Sequence, residues 1–304
     1  MRIQVISKDN GVGLTHDFRV LKEAILLADP SAEVLFTDWK QARRGERFDI
    51  NFHLELVGKD HMAQAPRNIY VPNPEWYYAH LWDRLMPRMS EVWAKTRDCE
   101  SIFRAKHHRV EYSGWTSRDM HMPSAERIAG RVLHVAGDSD AKGTEAVLAA
   151  AVAMPFTAFT IISRRKRPMA SVANINFLVD VSDEVLAEAM NAHRIHLCPS
   201  SYEGFGHYIN EAKACEAVVI TTNAPPMNEL VTRDFGVGVA PSRLSYKNLG
   251  THQHVSGMDL ADAVSRVMAV SEGILSDLGR RARVDYVRRR EAFHAFVDHQ
   301  LKHK

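Results

Sequence analysis

Cysteine is scarce. The 304 residues hold three, Cys99, Cys198 and Cys215, with no CxxC pair among them. That excludes a disulfide framework and a zinc site of the paired-cysteine kind, and suits reduced thiols. Net charge is scarce too: 39 Lys and Arg stand against 37 Asp and Glu, a formal +2, so no chain-wide field calls for nucleic acid or an anionic membrane. No apolar run approaches the roughly 18 residues of a membrane-spanning helix. The chain opens Met1-Arg2-Ile3-Gln4-Val5-Ile6, a strand pattern without an apolar signal core. The expectation is a cytoplasmic protein with no integral membrane segment. Internal repeats and low-complexity tracts are also missing. The dinucleotide fingerprint is incomplete, because Gly11 and Gly13 are followed by His16 where a third glycine would stand.

What is present is a strand, loop and helix alternation. Strand patterns at 2–6, 33–36, 48–54, 68–71, 91–94 and 108–112 precede a polar, proline-bearing stretch at 114–129 that reads as a linker. A second series has strands at 131–135, 156–162, 174–179 and 218–221. Its helices fall at 144–151, capped by Thr144 or a neighbour, and at 181–190, with long helices at 258–268 and 274–299 closing the chain. Such alternation favours parallel sheets in two α/β domains, and 45% hydrophobic content is enough to build both cores.

The most informative stretch is 195–215. It reads as a buried strand, a loop bearing Gly204 and Gly206, and the first turns of a helix. Backbone N–H groups at a helix start lack internal partners and carry partial positive charge, so such a loop makes a phosphate cradle. Two carboxylates, Glu203 and Glu211, bracket it with seven residues between them, and each can accept two hydroxyl hydrogen bonds. A nucleoside diphosphate sugar, with a sugar on either side of a diphosphate, fits that pattern.

Pro199-Ser200 followed by Glu203-Gly204-Phe205-Gly206 and Glu211-Ala212 resembles the E-x7-E signature of retaining GT-B glycosyltransferases of the family 4 type, the glycosyl transferases group 1. The resemblance implies an α/β GT-B fold, two Rossmann-like domains with parallel sheets facing a central cleft. It divides the chain into an acceptor domain at 1–120, a nucleotide-sugar donor domain at 121–280, and a C-terminal helix at 281–304 packing back on the N-terminal domain. The implied activity is that of a metal-independent, hexosyltransferase-like enzyme with no cofactor, moving a sugar from a nucleoside diphosphate sugar to a hydroxyl of a small molecule, lipid or glycan. Two alternatives stay open. One is a phage-type glycosyltransferase acting on hydroxymethylated bases of DNA, prompted by the basic runs at 164–167 and 280–290; from residue 279 onward eight Arg or Lys stand against three acids. The other is a non-catalytic nucleotide-sugar binding module. The oligomeric state is not legible.

Residue by residue, the resemblance makes Lys142, before Gly143, the cation of the diphosphate loop and Glu203 the holder of sugar hydroxyls. Glu211 then binds ribose, the amides of Gly204, Phe205 and Gly206 bind phosphate, and Val181 and Ser182 meet the base. The arginine that accompanies the lysine falls on Gly137, so Arg164 and Arg165 are the expected replacements. Asp138-Ser139-Asp140 is the nearest string to a metal-binding D-x-D, and no metal is assigned to it. On the acceptor side stand Gly11, Gly13, His53, with His80 competing, and the aromatic platform of Trp76. Three departures are visible: Asp180 and Glu216 where the family has glycine, and Tyr208 where proline is common.

Overall fold

The computed structural model describes residues 1–42, 45–165 and 172–303. The chain forms two compact units. Unit 1 comprises Met1–Arg118, Lys247–Gly250 and the chain from Arg288 onward; unit 2 comprises Asp119–Tyr246 and Thr251–Val287.

In unit 1 the elements run β1 (Arg2–Ser7), α1 (Gly13–Ala28), β2 (Glu33–Asp38), β3 (Ile50–Leu54), β4 (Arg67–Val71), α2 (Ala79–Trp82), β5 (Glu91–Ala94), α3 (Arg97–Arg104) and β6 (Val110–Tyr112). The six strands form one sheet in the order β2-β1-β3-β4-β5-β6, and every pairing is parallel. A parallel sheet covered on both faces buries its central strands completely. All five residues of β3 are buried, including the polar Asn51 and His53. Such groups require internal partners. Asn51 Nδ2 donates to Asn68 Oδ1 at 3.0 Å, and His53 Nε2 lies 3.1 Å from that same oxygen. Gly58 N–H donates to His53 Nδ1 at 3.3 Å. Both ring nitrogens are thus engaged inside the unit, and burial pushes the His53 imidazole down to about 4. His53 is a core residue, a correction to its expected place on an acceptor-binding surface. The C-terminal segment adds Phe293 against Trp115 and Phe296 against Trp93, with ring centroids 4.8 and 4.9 Å apart.

Unit 2 contains β7 (Ile128–Gly137), α4 (Thr144–Ala153), β8 (Ala158–Ser163), β9 (Ile175–Val179), α5 (Asp183–Ala192), β10 (His193–Cys198), α6 (His207–Ala214), β11 (Val218–Thr222), α7 (Met227–Leu230), β12 (Gly236–Val239), all but the turn-side ends of the hairpin strands β13 (Arg243–Lys247) and β14 (Gly250–His254), α8 (Gly257–Met268) and the start of α9 (Glu272–Lys302). Its parallel sheet has the order β12-β11-β10-β7-β8-β9. The chain builds outward from β7 to β9, then crosses to the other side at β10. The point where strand order reverses is therefore between β7 and β10, the place where a sheet of this kind leaves a crevice at its carboxyl end. Neither β12 nor the hairpin was expected from the sequence. Phe156, expected in a strand, is fully exposed ahead of β8.

Two of the departures from the family pattern retain the glycine-like backbone. Asp180 has φ 51° and Glu216 has φ 56°. The left-handed region suits Asp better than Glu. Around Glu216 the compensation is visible: Gly279 of α9 has no side chain, where a Cβ would come within 2.1 Å of the Glu216 carbonyl. The Glu216 carboxylate turns outward to Arg127, 3.5 Å away.

Candidate active site

Two loops meet at the carboxyl end of unit 2's sheet. The first, after β7, ends in Lys142 and Gly143; the second, after β10, spans 199–206 and leads into α6. Gly143 is the junction. It has φ 72°, and a Cβ there would come within 2.1 Å of the Pro199 carbonyl, so only glycine lets the loops touch this closely. Gly143 also occupies the position expected for Thr144, the N-cap of α4. Thr144 instead points inward, its Oγ1 3.0 Å from His134 Nε2, while His134 Nδ1 lies 2.8 Å from the Leu197 carbonyl. One buried imidazole thereby ties β7, β10 and α4 together beneath the loops.

That contact brings Lys142 and Glu203 together, with Nζ 2.7 Å from Oε1. Both side chains keep some solvent access, 20% for Lys142 and 12% for Glu203. Ser200 Oγ donates to the same carboxylate oxygen, and it also lies 2.6 Å from the Tyr208 hydroxyl. Lys142 Nζ sits 3.9 Å from the centre of the Tyr208 ring, a distance at which a cation is attracted to an aromatic face. Burial, with the nearby Cys198 and Glu203, holds the Tyr208 phenol well above its ordinary range, so it remains a neutral hydrogen-bonding group. Sequence reasoning gave no role to Tyr208 or Ser200: Ser200 stood in the quoted motif, and Tyr208 stood in place of a common proline.

Helix α6 follows at once, with Gly206 at its N-cap at φ 98°. Its first N–H groups, which a helix cannot satisfy internally, lie at this loop. Phe205 is buried, with its ring against that of His207. Its side chain is core, which leaves only its main chain to serve a ligand. Glu211 lies in α6 and is 5% exposed. Val181 packs on a core cluster with Leu133 and Met190, and the Ser182 side chain accepts from Val185 N–H as the N-cap of α5. On the neighbouring strand, Arg164 N–H donates to the Gly137 carbonyl at 3.4 Å, and the Arg165 guanidinium pairs with Asp140 in the Lys142 loop. Lys166 and Arg167 lie outside the described residues. Among the described residues no group of three or more His, Cys, Asp or Glu is placed to hold a metal ion.

At the carboxyl end of unit 1's sheet, Gly11 takes φ 66° in a loop whose Asp9 carboxylate accepts from Gly11 N–H and Thr15 Oγ1. Gly13 opens α1. Trp76 is 40% exposed, and Lys247 Nζ stands 3.2 Å from its ring centre. Deeper in, Lys95 is 2% exposed and bonds Asp17 at 2.5 Å and Asn73 at 2.9 Å, and Asn73 donates to Glu55 at 2.7 Å. Burial raises the Glu55 carboxyl above its ordinary range. The basic run of α9 is largely paired: Arg281 with Asp277, Arg283 with Asp119, Arg290 with Glu23.

Residues 171–248 match the family model described as Glycosyl transferases group 1. Solved structures match over nearly the whole chain. Sucrose-phosphate synthase from Thermosynechococcus elongatus aligns at a TM-score of 0.74 and 14% identity, over 97% of this chain and 96% of that one. A glycosyltransferase from Rickettsia africae gives 0.73 and 12%, over 100% and 99%. HepE from Anabaena, solved with UDP-glucose, gives 0.69 and 14%, over 99% and 98%. The chain has the GT-B fold. No curated protein sequence matches it. The matched segment of the GT-B protein contains the whole of the second loop, α6 and both glutamates, whereas Lys142 lies upstream of it. Among the described residues no helix is long and apolar enough to cross a membrane.

Proposed function

We propose that this GT-B protein is a retaining glycosyltransferase that takes a sugar from a nucleoside diphosphate sugar and transfers it to a hydroxyl acceptor on a small molecule, lipid or glycan. The observation that carries the reading is the meeting of Lys142 and Glu203, 2.7 Å apart, at the switch point of unit 2's sheet. An ammonium and a carboxylate there serve two different parts of one donor. As the bond to the anomeric carbon breaks, charge grows on the departing diphosphate, and groups aimed at that charge accelerate the step. Lys142, the amides of Gly204, Phe205 and Gly206, and the first turn of α6 take this role, with Arg164 and Arg165 supplying the cation that Gly137 lacks. Glu203, oriented by Ser200, accepts from sugar hydroxyls, and Glu211 from the ribose. Val181 and Ser182 border the base through their main chain. The acceptor is assigned to unit 1, where Gly11, Gly13 and Trp76 are presented to solvent.

A thermal-shift panel of UDP, GDP, ADP and TDP sugars tests this reading. A ligand at a hundred times its dissociation constant stabilises a protein by about 2.7 kcal/mol. One donor class is expected to raise the melting temperature and to be hydrolysed slowly to the nucleoside diphosphate, with UDP-glucose the first to try. Lys142→Ala and Glu203→Ala should each abolish that release. Silence across the whole panel would count decisively against the proposal.

A further inference from the structure

The family match stops at residue 248, within the β13–β14 hairpin, so β14 lies beyond it. Yet β14 is built into the donor loop. Gln253 N–H donates to the Ser201 carbonyl at 2.7 Å, and Ser201 N–H donates to the Ala141 carbonyl at 2.8 Å. Ser201 is thereby clamped between the hairpin on one side and the residue preceding Lys142 on the other. His252 adds a side-chain contact at the same point. Its Nδ1 lies 3.0 Å from Ser201 Oγ, and its ring stacks on Tyr202 with centroids 5.6 Å apart and planes 25° from parallel. Ser201 and Tyr202 are themselves buried, and they separate Ser200 from Glu203, the two residues whose side chains bond each other beside Lys142.

We propose that His252 is a positioning residue for the donor. By bonding Ser201, it holds Glu203 and Lys142 at the spacing that a nucleoside diphosphate sugar meets. The inference rests on the donor reading above. Its physical basis is that the loop at 199–204 contains no helix or strand, so the register of its functional carboxylate depends on side contacts of this kind.

Two substitutions separate positioning from simple support. His252→Phe keeps the stack on Tyr202 and loses the hydrogen bond to Ser201. His252→Asn places an amide atom where Nδ1 stands and loses the ring. With the donor that shifts the wild-type protein, His252→Phe should weaken the dissociation constant about tenfold, because a loop released at Ser201 has to be ordered again when the donor binds. His252→Asn should stay within about threefold of wild type on the same scale. Both should melt within about 2 °C of wild type. Ser201→Ala should reproduce the tenfold loss, and combining it with His252→Phe should add nothing, because the two changes remove the same bond. Unchanged affinity in His252→Phe overturns the inference, as does a loss of affinity matched by an equal loss of melting temperature in both variants. A wild-type protein that binds no donor overturns the functional reading and this inference with it, an outcome distinct from a donor-binding wild type with indifferent variants.

Discussion

At the carboxyl end of unit 1's sheet, Lys95 is 2% exposed and bonded to both Asp17 and Asn73; at the same end of unit 2's sheet, Lys142 is 20% exposed and faces Glu203. The sheets share six parallel strands and a reversal of strand order, and each places a lysine beside a carboxylate. What differs is solvent. In unit 1 the charges are sealed in, so their pairing is a requirement of folding. In unit 2 they retain access to water, so exchanging one partner for a ligand leaves no ion stranded. The comparison teaches that the chemical types present do not mark a site; their burial does.

Removing each lysine is the most direct way to break that comparison. Lys95→Met leaves Asp17 buried and uncompensated and should cost about 3–5 kcal/mol of stability, read as a fall in the urea midpoint. Lys142→Met should cost less than about 1 kcal/mol, because a partly exposed pair is weak. It should nevertheless slow donor hydrolysis by about a hundredfold or more. Equal stability losses in the two variants would erase the distinction between the sealed pair and the water-accessible pair.

The buried histidines sharpen the comparison by showing where the units are alike. Burial pushes His53 of unit 1 down to about 4 and His196 of unit 2 down to about 3, from an ordinary 6.5. Below pH 6.5 the unfolded chain takes up protons that the folded chain refuses, so stability is fully present above that pH and is lost as pH falls. Each histidine contributes a slope of about 1.4 kcal/mol per pH unit, down to its own folded value. Urea midpoints measured between pH 7 and pH 5 should show it, and His53→Gln should remove one histidine's share. A flat profile across this window would mean that neither imidazole is buried in neutral form.

The smallest effect concerns the backbone of unit 2. Glu216→Gly relieves a left-handed glutamate and loses a partly exposed pair with Arg127, so it should raise stability by less than about 1 kcal/mol in thermal denaturation. A destabilised variant would mean that the ion pair outweighs the backbone strain.

The parallel architecture was legible because buried strands and amphipathic helices alternate at their own periods, and strand edges such as Glu91–Ala94 came directly from that pattern. The strand, loop and helix around Glu203 and Glu211 were legible for the same reason, with Gly204 and Gly206 as local punctuation. The hairpin was not read: Leu244 and Tyr246 do alternate with polar residues across Arg243–Lys247, but the run is only five residues long and both side chains lie exposed, outside either core. His53 was misplaced because a strand end looks the same in sequence whether its imidazole meets Asn68 or a ligand.

By itself the sequence determined the strand and helix alternation of two α/β units, the glycine-bearing loop with Glu203 and Glu211, and the lysine of the loop after β7, since each is written in residues close together in the chain. Tertiary structure alone decided that Lys142 and Glu203, 61 positions apart, would touch, and that Tyr208 would lie under the ammonium. It alone sealed Lys95 against Asp17 across 78 positions and set His252 against Ser201 across 51. Contacts at such separations depend on which strand ends the fold brings side by side and on how much water it leaves there, and neither is encoded in any local pattern.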